Sequence, residues 1–126
     1  PNINAALGCA QLEQLPGFLR NKRALASAYQ NEFVKVKGVR LIAEPQFSRS
    51  NYWLNALLLD EESKSQLEPI LEITNRNGFM TRPCWTPMNH LPMYSSCPRM
   101  DLAQAESLAK RIINLPSGPS LGASLE

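Results

Sequence analysis

The sequence predicts an α+β fold: a small, mostly antiparallel sheet packed with about four helices. Three observations predict it. Apolar residues recur at helical spacing in four separate stretches, near residues 4–15, 18–33, 61–77 and 101–114. Strand-like runs are few and short: "VKVKGVRLI" at 34–42, "NYWLNALLL" at 51–59 and a piece of "NGFMTRP" near 77–83. The chain has 126 residues, 44% of them hydrophobic and 19% charged, enough for one domain around one core.

The first helix is expected over residues 4–15. Asn4 is a suitable N-cap, and Ala5, Leu7, Cys9, Ala10 and Leu12 make its surface largely apolar. "LPG" at 15–17 is expected to break or bend the chain. A second helix then covers Phe18 to Phe33, with Leu19, Ala24, Leu25, Ala28, Tyr29 and Phe33 as its stripe. "RNKR" at 20–23 reads as the solvated face of that helix, not as a phosphate patch. In 34–42, Gly38 marks a turn or bulge. The run 51–59 has the aliphatic content of a strand covered on both faces.

Asp60, Glu61 and Glu62 read as a helix start aligned with the dipole. The helix that follows carries Leu67, Ile70, Leu71 and either Ile73 or Thr74 inward; Pro69 means either that its regular part begins near Gln66, placing the proline in a first turn, or that the helix kinks. A Pro-rich loop spans 83–99. The last helix, about Asp101 to Asn114, shows a stripe of Leu102, Ala105, Leu108, Ala109, Ile112 and Ile113, and "LPSGPSLGAS" reads as a tail.

Several functional classes are excluded. The net charge of +2 with scattered basic residues gives no nucleic-acid footprint. No apolar run approaches the ~18 residues of a membrane span. The three cysteines, Cys9, Cys84 and Cys97, lack metal-site spacing and point to a reducing, cytoplasmic setting. The lone histidine, His90, makes no metal centre, and Cys84 and Cys97 beside it read as buried structural thiols. The absent initiator Met and a terminal Leu125–Glu126 resembling a cloning scar suggest an excised domain at 1–124.

Chemistry concentrates in "TRPCWTPMNHLPMY", residues 81–94. Prolines restrict its backbone, so it can be stiff without regular structure. Arg82 suits a phosphate or carboxylate, His90 and Tyr94 suit hydroxyls, and Trp85 suits a ring. The competing reading has Trp85 and Tyr94 packing the core and Arg82 in a local surface pair.

Three segments, in order, resemble one family. "NINAALGCAQLEQLPGFLRNKRALASAYQNEF" matches it at Asn4, Ala5, Ala6, Gly8, Gln11, Leu12, Lys22, Arg23, Ala26 and Tyr29. The loop matches at Arg82, Pro83, Pro87, His90, Pro92 and Tyr94, and "AESLAKRIINLPSGPSL" matches the closing segment. The resemblance is to the pyridoxal-phosphate-dependent nucleotide-sugar aminotransferases of the DegT/DnrJ/StrS type, specifically the C-terminal small domain of a fold-type I transferase. It implies a cytoplasmic, homodimeric parent that transfers an amino group, from glutamate, to a nucleotide-linked keto-sugar for surface polysaccharide.

It also implies that the Schiff-base lysine lies in an absent N-terminal large domain. No catalytic, cofactor-binding or metal-binding residue is therefore expected here, no bound pyridoxal phosphate, and no activity of the isolated chain. Substrate contacts are expected from His90, Tyr94 and Arg82. The alternative is a stand-alone α+β interaction module without catalysis.

Overall fold

A computed structural model describes residues 1–125; Glu126, half of the expected scar, lies outside the described residues. Helix α1 (Asn2–Phe33) is followed by strands β1 (Val39–Leu41) and β2 (Asn55–Leu59). A 3₁₀ segment, Glu61–Gln66, leads into α2 (Leu67–Arg76). Then come β3 (Arg82–Pro83), α3 (Ala103–Ala109), β4 (Ile112–Leu115) and α4 (Pro119–Ala123). The strands form one antiparallel sheet in the order β1-β2-β4-β3. The α+β expectation of a small antiparallel sheet with four helices holds.

Alternation on the two central strands builds the core. Leu57 and Leu59 of β2 and Ile113 and Leu115 of β4 point to one side, where they meet Leu71. Tyr29 and Phe33 of α1, and Leu67 and Ile70 of α2, close over them. Thr74 rather than Ile73 completes the inner face of α2: its hydroxyl lies 2.6 Å from that of Thr81. Pro69 sits in the first turn of α2, where the missing N–H would have no partner anyway.

Four boundary expectations are corrected. The two N-terminal helices are one 32-residue helix running through Pro16, starting at Asn2 rather than behind an Asn4 cap. Pro16 removes one N–H, and the loss falls where residues 11–16 are exposed, so no packing forces a break. Residues 34–38 form turns, so the first strand keeps only three residues. Gly38, at φ +81°, supplies the left-handed turn, and its carbonyl accepts from the Asp60 N–H at 2.9 Å.

The last helix stops at Ala109, and Ile112–Leu115 is a strand between β2 and β3. A stripe ending in two isoleucines fits either period; the open slot beside β2 decides for the sheet. The expected tail contains α4.

"RNKR" is only in part a solvated face. Lys22 Nζ donates to the carbonyls of Ser117 (2.6 Å) and Trp53 (3.2 Å), and burial lowers its pKa. Arg23 forms a two-pronged pair with Glu44 and donates to the Ser50 carbonyl at 2.8 Å. The guanidinium, with the Ser50 N–H, holds the Glu44 carboxyl down at about 2. One helical turn thus ties down the 44–54 and 116–118 segments that border the site.

Candidate functional site

The stretch 81–94 leaves the sheet at β3, an edge strand. Pro83, which has no N–H to give, is accommodated there opposite Ile113. Cys84 still donates to the Ile112 carbonyl at 3.2 Å. Beyond it the loop closes into two short 3₁₀ turns, each opened next to a proline. His90 N–H bonds Pro87 O, and Tyr94 N–H bonds Leu91 O, both at 2.9 Å. Part of the loop's backbone is thus bonded within the loop itself, in turns opened by its prolines.

Arg82 donates from Nη1 to Asn75 Oδ1 (2.8 Å) and to its neighbour Thr81 O (2.9 Å). Both acceptors are neutral, so the guanidinium keeps its full positive charge for an anion. Its side chain borders a cavity of about 550 Å³ between the loop and the ends of β2 and β4, with Leu54, Met80, Trp85 and Asn114. Trp85 is 66% exposed and stacks on Trp53, centroids 5.9 Å apart. The core-packing reading of Trp85 thus fails.

Tyr94 is half-exposed and lines a second cavity of about 240 Å³ with Met88, Asn89, Cys97 and Leu102. His90 is turned onto α3, its Nε2 lying 3.1 Å from Glu106 Oε1. The same oxygen accepts from Asn89 Nδ2 at 2.7 Å. The His90 bond first, then that of Asn89, holds the Glu106 carboxyl below the usual carboxylate range.

The three expected site residues therefore lie on one loop but do not converge on one cavity. Arg82 serves the larger cavity, Tyr94 the smaller, and His90 is bonded to a helix. Sequence reasoning missed Glu106, Asn89 and Trp53. Glu106 stands in the closing motif "AESLAK" and read only as a helical position. The cysteines are free, with Cys9 and Cys97 exposed and Cys84 half-buried, against the expectation of buried thiols. No cluster of three metal-ligating side chains occurs among the described residues. No helix among them is long and apolar enough to cross a membrane.

The chain is similar to known proteins along nearly its whole length. The model of the DegT/DnrJ/EryC1/StrS aminotransferase family matches residues 1–124. GDP-perosamine synthase of Vibrio cholerae is 31% identical over 121 residues, covering 95% of this chain and 33% of that protein. The putative pyridoxal phosphate-dependent aminotransferase EpsN of Bacillus subtilis is 32% identical, covering 95% of this chain and 31% of that one.

Among solved structures, the aminotransferase TlmJ of Streptoalloteichus hindustanus superposes with a TM-score of 0.83 at 26% identity, over 95% of this chain and 32% of its own. DesI, determined in the presence of its TDP-sugar product, superposes with a TM-score of 0.81 at 26% identity, over 95% of this chain and 31% of its own. The chain spans about a third of the length of the curated relatives it matches.

Proposed function

We propose, from the premise that this chain belongs to the DegT/DnrJ/EryC1/StrS aminotransferase family, that residues 1–124 are the C-terminal small domain of a nucleotide-sugar aminotransferase. The whole enzyme uses pyridoxal phosphate to pass an amino group, from glutamate, to a nucleotide-linked keto-sugar for surface polysaccharide. The observation that carries this reading is the 31% identity to GDP-perosamine synthase across 95% of the chain. The DesI likeness, with its TDP-sugar product, supports the substrate class. A cytoplasmic homodimer is part of the same proposal.

Pyridoxal phosphate supplies the electron sink for the chemistry when bound. The described residues do not fit it as a seat. Lys22 is the half-buried lysine with a lowered pKa, but its ammonium is held by two backbone carbonyls rather than facing a cavity with an anion cradle. No chemical step is therefore derived through the coenzyme.

What this chain contributes is recognition. The Arg82 guanidinium meets the anionic part of the nucleotide-sugar, and Tyr94 and His90 meet hydroxyls. The first half of α1 leaves Ile3, Leu7 and Leu12 more than 60% exposed, and a preceding large domain docks there. This accounts for the apolar face better than a stand-alone module does.

The test is steady-state kinetics on the full-length enzyme. His90→Ala and Tyr94→Phe are each expected to raise the KM for nucleotide-sugar about threefold to tenfold, the worth of one neutral hydrogen bond. The coenzyme absorbance should not change. Wild-type KM in both variants removes the loop from the substrate site.

A further inference from the structure

Glu106 is the group to which the loop is fastened, and it dictates what His90 has left to offer. Its carboxylate, held in the charged form, carries only lone pairs, so both neighbours must donate to it. Asn89 gives one amide hydrogen at 2.7 Å and His90 gives Nε2–H at 3.1 Å, both to Oε1. In a neutral imidazole, a proton on Nε2 leaves Nδ1 with a lone pair and no hydrogen. A ligand that reaches the free nitrogen therefore finds an acceptor.

The helix carrying Glu106 is itself well fixed. The Ala103 N–H is received by Asp101 Oδ1 at 3.0 Å, opening α3. At the next residue, the Ser107 hydroxyl donates to Glu61 Oε1 at 2.7 Å. Arg111, almost buried, bonds Ser107 Oγ (3.0 Å), the Leu59 carbonyl (2.9 Å) and Glu61. The chain of contacts thus runs from the central strand β2, through Arg111 and Ser107, to α3 and then to the loop.

We propose that Glu106 is a positioning residue: by binding Asn89 and His90 together it sets the 87–94 turns on α3 and fixes His90 as a hydrogen-bond acceptor. His90 then selects a hydroxyl of the sugar and is unsuited to a phosphate oxygen, which Arg82 is left to take. The inference rests on the loop meeting the nucleotide-sugar, and it deepens that reading by dividing the two ligand chemistries between two residues.

The chain has a single histidine, so imidazole nitrogen spectra of ¹⁵N-histidine-labelled protein report His90 alone. In the neutral imidazole the wild type should give one form, protonated at Nε2. Glu106→Ala should give the tautomer mixture of an unheld ring, with faster amide exchange at Tyr94 and Cys97. Glu106→Gln keeps a carbonyl acceptor and should restore both. In the full-length enzyme, Glu106→Ala should raise the nucleotide-sugar KM about threefold to tenfold with kcat within about twofold, and Glu106→Gln should recover most of it.

A ring spectrum and loop exchange unaltered by Glu106→Ala overturn the inference. An altered ring with wild-type KM in both His90→Ala and Glu106→Ala overturns instead the substrate-loop reading beneath it.

Discussion

Gly122→Ala is expected to undock the C-terminal helix. A β-carbon at Gly122 falls 1.9 Å from the Asn21 carbonyl oxygen and 2.5 Å from its carbon. Those are backbone atoms of α1, so no rotamer change makes room. The two helices must separate by more than an ångström, or α4 must leave. Overpacking of this kind costs about 1–3 kcal/mol and more where the obstacle cannot yield. We expect about 3 kcal/mol, which for a chain of this size lowers the melting temperature by roughly 10 °C.

Undocking also releases the 117–125 segment, and with it the Ser117 carbonyl that Lys22 binds at 2.6 Å. Limited proteolysis should cleave the variant between residues 117 and 125 at protease levels that leave the wild type whole. Unchanged melting and an unchanged cleavage pattern would mean that the two helices do not meet as described.

Leu59→Ala should be comparably damaging for a different reason. Leu59 is fully buried on β2 and packs with Leu57, Leu71, Ile113 and Leu115, which belong to both central strands and to α2. Truncation loses the transfer free energy of three carbons and leaves a cavity that sheet backbone cannot collapse into. The expected loss is about 2–5 kcal/mol, read as a lower urea midpoint at constant m. Leu125→Ala, at an exposed terminal position, is the control expected to leave the midpoint in place.

These two sites mark what the sequence made legible and what it hid. The stripes of Tyr29 and Phe33, and of Leu67, Ile70 and Leu71, named their own helices because an amphipathic face repeats locally. Ile112 and Ile113 did not announce a strand. They continue the helical spacing of Leu102, Ala105 and Leu108, and only their pairing with Leu58 and Leu57 of β2 distinguishes the outcomes. Gly122 gave no signal, since the backbone it approaches lies about a hundred residues earlier in the chain.

Within the site, the loop was visible through its prolines, and Trp85 and Tyr94 lie exposed on it rather than packed in the core. Glu106 stayed hidden because its partners Asn89 and His90 are 17 and 16 residues away, beyond any local pattern. Lys22 and Arg23 were misread for the same reason: their partners are Ser117, Trp53, Glu44 and Ser50, which periodicity on one helix does not reveal.

The central claim is that this domain grips substrate while the amine-carrying lysine belongs to another part of the enzyme. The most direct measurement is peptide mapping of the protein after loading with pyridoxal phosphate and reduction by borohydride. The account predicts that Lys22, Lys35, Lys37, Lys64 and Lys110 stay unmodified at stoichiometric coenzyme. A stoichiometric reduced adduct on any of these five lysines would contradict it.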